Sequence, residues 1–141
     1  MLTADLISLV NKIQHKKHEG QTPEVKSAHG GCPKLYNTLS SFSNQNDGGV
    51  IVLGMDKTGG FIPVGVYDVQ DLLHQASEQR KQMQPEVSAV FSTCEIDGKF
   101  FVGMEIPPPV DIMTMPVYYK GAGKWKGAYV RVGDAYERMS E

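Results

Sequence analysis

The sequence predicts an α/β chain of the α+β kind: a single domain, residues 1–141, in which a mixed, mostly antiparallel sheet is flanked by about three helices. Three observations carry this expectation. Apolar residues recur at helical spacing in three separate segments; an unbroken apolar run, Val50 to Leu53, follows a glycine pair; and two strand-like runs meet at Asp97-Gly98. A chain of 141 residues can bury one core without metal or disulfide support, and it shows no repeat, low-complexity tract or internal boundary.

Taken in order, Leu2, Leu6, Leu9, Val10 and Ile13 fall on one helical face behind Thr3, an expected N-cap, and Lys16, Lys17 and His18 suit the C-terminal end of that helix. Gly20 to Pro23 breaks it, and Glu24 to Ala28 is short enough for a strand. Pro33 opens a second helix marked by Leu35, Tyr36, Leu39 and Phe42, which delivers the chain to Asn44, Asn46, Asp47, Gly48 and Gly49. These residues tolerate left-handed backbone, so the chain can reverse before Val50 to Leu53 enters a sheet covered on both faces.

Asp56 to Gly60 reads as a turn, with Phe61 to Val66 returning as an antiparallel neighbour. Asp68 caps a third helix in which Val69, Leu72, Leu73, Ala76 and Met83 face inward until Pro85 stops it. Val87 to Ile96 and Lys99 to Ile106 form a hairpin across Asp97-Gly98, because Phe100, Val102, Met104 and Ile106 alternate. Asp111 to Tyr119 is expected to be irregular, Lys120 to Lys124 a flexible tip, and Tyr129 to Val132 a strand.

The formal charge of −2 lacks the basic excess of many nucleic-acid binders, so a polyanion would need a local patch. Two distant cysteines, Cys32 and Cys94, read as thiols in a reducing cytoplasm rather than as a disulfide framework. No apolar run approaches a membrane span, and no membrane partner is expected.

The segment Leu39 to Asp56, with Glu19 and Glu24-Val-Lys26 before it and Gly65-Val66 and Tyr129-Val-Arg131-Val-Gly133 after it, resembles the Schlafen AlbA-like family of DNA-binding domains. The family pattern is a Glu, a Glu-aromatic-Lys, a helix ending Ala-Phe-Ala-Asn, Gly-Gly, a strand ending Gly-Val-Asp, a later Gly, and Tyr-Val-Arg-x-Gly. This chain departs from it at Val25, Ser41 and Ser43. The resemblance implies the first domain of a longer bacterial transcriptional regulator, with C-terminal domains of the same chain as partners; a homodimer belongs to a separate assembly alternative.

Two sets of residues could carry function. Lys120, Lys124, Lys126 and Arg131 lie between Asp111 and Asp134 with no acid among them, interleaved with tyrosines and Trp125. Ammonium and guanidinium groups would neutralise phosphates, and Trp125 would offer a stacking face. Lys26, Asn44 and the amides of Gly48 and Gly49 complete the expected interface, with the glycine bend and the lysine tip bordering one cationic trough. DNA is favoured over RNA as the ligand.

The second set is Glu19, Glu24 and Asp56, matching by resemblance a carboxylate trio associated with RNA cleavage in Schlafen relatives. Three converging acids could hold magnesium or manganese and activate water, making the chain a metal-dependent ribonuclease. Otherwise no cofactor is expected. An oligomerisation domain is the third alternative. His15, His18, His29 and Cys32 have loose zinc-like spacing, but no metal site is predicted there.

Overall fold

The computed structural model describes residues 2–16, 23–45, 47–108, 116–124, 127–132 and 135–139. Three layers build it. A four-stranded sheet in the order β1-β2-β7-β6 carries helix α1 (Thr3–Lys16) on one face and helices α2 (Tyr36–Ser43) and α3 (Val69–Lys81) on the other. Strand β1 (Glu24–Lys26) runs parallel to β2 (Gly49–Leu53), which is antiparallel to β7 (Lys99–Ile106), itself antiparallel to β6 (Val90–Ile96).

The all-apolar sequence of β2 follows from its central place. Ile51 and Leu53 join Leu39, Phe42, Leu72, Ala76 and Met104 on the α2–α3 side, while Val52 joins Leu6, Val10, Ile13, Val25 and Phe101 under α1. Hydrophobic alternation along one strand therefore serves two cores. The hairpin register puts Ile96 opposite Lys99, leaving Asp97 (φ 52°) and Gly98 (φ 79°) as the two turn residues. Left-handed backbone at both positions matches the twist of the flanking strands.

Several boundaries and faces differ from expectation for identifiable reasons. The Thr3 hydroxyl donates to the Thr93 carbonyl at 3.1 Å instead of capping α1, while the Leu2 amide finds the Asp5 carboxylate at 3.0 Å. Helix α2 starts at Tyr36, because Gln79 holds the chain between Pro33 and Leu35 in non-helical hydrogen bonds. Phe100 extends past the α2–α3 layer and is 43% exposed, whereas Phe101 is buried under α1.

Short strands were the hardest to see in the sequence. After β3 (Met55–Asp56) a single 3-10 turn, Lys57–Gly59, leads to β4 (Ile62–Pro63). Met83 is buried not as the last turn of α3 but in β5 (Met83–Gln84), which pairs with β8 (Tyr118–Tyr119) in the stretch expected to be irregular. Strand β9 (Tyr129–Val132) is present as expected and pairs with β10 (Ala135–Arg138).

Candidate nucleic-acid interface

Ser40 of α2 and Asn44, its C-cap one turn later, bind two segments that follow strand β7. The Asn44 amide group donates to the carbonyls of Val117 (3.0 Å) and Tyr129 (3.3 Å), and its carbonyl oxygen accepts from the Val117 amide at 2.7 Å. Ser40 Oγ donates to the Val117 carbonyl at 2.6 Å and accepts from the Tyr129 amide at 2.8 Å. Asn44 is 8% exposed and Ser40 fully buried. Asn44, expected at the interface, thus positions the segments that form it. The i, i+4 spacing of Ser40 and Asn44 on a helix face was the available signal.

From this anchor the chain passes through β8 into a loop closed by main-chain hydrogen bonds. The Tyr119 amide donates to the Gly127 carbonyl (3.1 Å), the Gly127 amide to the Gly123 carbonyl (2.8 Å), and the Ala122 amide to the Tyr119 carbonyl (3.1 Å). The Lys120 amide donates to the Gln82 carbonyl at the end of α3 (3.1 Å). This is a fastened loop rather than the flexible tip expected.

Tyr119 stacks on Tyr36 with ring centroids 3.9 Å apart and planes 17° from parallel. A side chain at Gly121 would strike the Tyr119 ring at 2.5 Å, which explains glycine there. Lys120 and Lys124 are exposed on this loop. Trp125 and Lys126 lie outside the described residues, and for Arg131 the backbone alone is described, paired with Tyr136 in the β9–β10 ribbon.

The glycine bend follows the C-cap of α2. Gly48 (φ 65°) would place a β-carbon 2.2 Å from the Ile106 carbonyl, and Gly49 would drive one into the Phe42 ring at 2.6 Å. The Gly48 amide donates to the Gln45 carbonyl (3.3 Å), and the Gln45 side chain returns a bond to the Gly48 carbonyl (2.7 Å). Glycine here lets two backbones and a ring meet.

Tyr119 of the loop stacks on Tyr36 at the start of α2, while the bend follows the C-cap, Asn44, whose side chain also holds Val117 and Tyr129 on either side of the loop. Beside the bend lies a groove of about 370 Å³ lined by Asp47, Val50, Val90, Glu105 and Pro108 among others. Its carboxylates disfavour a phosphate.

Lys26 closes β1 opposite Leu53, and its carbonyl accepts from the Gly54 amide at 3.0 Å. Of the three acids, Glu19 lies outside the described residues. Glu24 is 1% exposed and ion-paired to Lys57 at 3.0 Å, and Asp56 caps the 3-10 turn by accepting the Thr58 amide at 2.9 Å. The Lys57 ammonium balances the Glu24 charge, and among the described residues, which do not include Glu19, no cluster of three His, Cys, Asp or Glu suited to a metal occurs.

The sequence profile of the Schlafen, AlbA_2 family matches residues 19–140. The chain belongs to that family. Among solved structures, this AlbA_2 domain is similar to the N-terminal domain of a protein from Nitrosomonas europaea named as related to the ATP-dependent DNA helicase RecG, with 23% identity, a TM-score of 0.70, and coverage of 96% of this chain and 94% of that one. It is also similar to the DIP2311 protein from Corynebacterium diphtheriae, at 16% identity and a TM-score of 0.61, covering 95% of this chain and 30% of that longer one. Both likenesses establish the fold. Among curated proteins none matches the sequence. No described helix is long and apolar enough to cross a membrane.

Proposed function

We propose that this AlbA_2 domain binds nucleic acid, DNA in preference to RNA, through phosphate contacts at the closed loop between Tyr119 and Gly127, as the N-terminal recognition part of a longer cytoplasmic regulator. The observation that carries the proposal is the pair of exposed lysines, Lys120 and Lys124, on a loop whose backbone is already fastened. A fixed loop loses little conformational freedom on binding, so more of the electrostatic attraction remains as affinity. Trp125, Lys126 and Arg131 follow within the same short stretch of sequence and would add two positive charges and an indole to it. The relation of one structural neighbour to a DNA helicase supports a nucleic-acid role, and the free thiols Cys32 and Cys94 suit the cytoplasm.

Fluorescence anisotropy with labelled DNA and RNA oligonucleotides between 50 and 200 mM salt tests the proposal. Binding should weaken steeply with salt, and changing Lys120, Lys124 and Lys126 together to Glu should weaken it by roughly a hundredfold or more. Affinity unchanged in that variant would exclude the loop. Labelled structured RNA incubated with magnesium or manganese should remain intact, which separates a binder from the ribonuclease alternative.

A further inference from the structure

The end of α3 grips two lysine-bearing segments that are far apart in sequence. Gln79 Nε2 donates to the Pro33 carbonyl at 2.9 Å while its Oε1 accepts from the Leu35 amide at 2.7 Å, so one carboxamide holds the backbone on both sides of Lys34. Three residues later the Gln82 carbonyl accepts from the Lys120 amide at 3.1 Å, and the Gln82 side-chain oxygen accepts from the Tyr36 hydroxyl at 2.9 Å. Residues three apart at a helix end are close neighbours, about 5–6 Å between β-carbons. The Tyr36–Tyr119 stack joins the same two segments directly.

Lys34 and Lys120 are both exposed. Glu78, an acid in the last turns of α3, is itself tied to Lys81 at 3.5 Å. From this arrangement we infer that Lys34 is a further phosphate contact, set beside Lys120 by Gln79 as a positioning residue, so that a bound strand crosses the end of α3 with neighbouring phosphates on the two ammonium groups. The inference rests on binding at the closed loop. It adds a second anchoring segment, one that precedes α2.

The test compares Lys34→Gln, Lys120→Gln and Gln79→Ala by anisotropy on a labelled oligonucleotide over the same salt range, with circular dichroism and thermal melting as checks on folding. Lys34→Gln should weaken binding about three- to tenfold and lower the slope of log affinity against log salt by about 0.7–0.9, the value of one lost phosphate contact. In the Gln79→Ala background the further change of Lys34 to Gln should have at most half that effect.

If Lys34→Gln binds as wild type does while Lys120→Gln loses affinity and slope, the inference is overturned and the loop's role stands. If neither lysine matters, both fall. A full Lys34 effect in the Gln79→Ala background removes Gln79 from the proposal, and should Gln79→Ala fail to fold, the Lys34 variant decides the matter by itself.

Discussion

Asn44 shows how much a single buried amide can organise. Its side chain is the meeting point of α2 with residues on either side of the closed loop, Val117 and Tyr129. Replacing it with Ala leaves the Val117 amide and two carbonyls without their partner in a buried place, so Asn44→Ala should cost about 2–4 kcal/mol in urea denaturation. The same loss should loosen the loop and weaken nucleic-acid binding in the surviving folded fraction. Cys32 offers a second check at this scale. Burial, and secondarily the charge of Asp71, push its thiol from 9.0 up to about 11. Alkylation of Cys32 in the folded protein should therefore stay slow at pH 8 to 9 and accelerate only toward pH 11. Because the folded state holds this proton more tightly than the unfolded chain, the stability associated with it is complete below pH 9 and is lost as pH rises through about 11.

At the scale of elements, glycines in two turns separate backbone strain from steric conflict. At Gly98 an added β-carbon would meet nothing within 4 Å, so Gly98→Ala should cost about 1–2 kcal/mol, the penalty of left-handed backbone for an L-residue. At Gly49 the same change meets the Phe42 ring at 2.6 Å inside the core, and the loss should exceed that of Gly98→Ala by about 2 kcal/mol or more. Chemical denaturation of both variants measures the difference. Elements with a strong period were legible in the sequence: α1, α3, the Asp97-Gly98 hairpin and β2 stand where periodicity put them. The elements missed or misplaced are β5, β8 and β10, of two to four residues each, whose existence depends on partners distant in the chain. A pair such as Met83 opposite Tyr119 leaves no local trace, because no period can be defined over two residues.

For the whole molecule, a formal charge of −2 means that a polyanion would have to meet a local basic group. Gln79 binds the backbone on both sides of Lys34 and the Gln82 carbonyl takes the Lys120 amide, while Asp47 and Glu105 line the groove beside the glycine bend. The candidate lysines of the loop are visible in the sequence as a basic stretch lacking acids, and Lys34 as an extension conditional on the fold; Gln79 and Gln82 bring the backbone at residues 34 and 120 to one helix end. The glycine bend is the sharp turn that its composition predicts, with Gly48 at a φ of 65°.

Among the described residues, the bonds from the Tyr119 amide to Gly127, the Gly127 amide to Gly123 and the Ala122 amide to Tyr119 run between main-chain atoms. Such a frame is indifferent to the identity of the residues displayed on it at positions 120, 122 and 124. Ligand preference can then diverge among related domains by exchanging those outward groups alone, with no compensating change in the interior, which makes this segment a natural place for selection, or an engineer, to retune what the domain recognises.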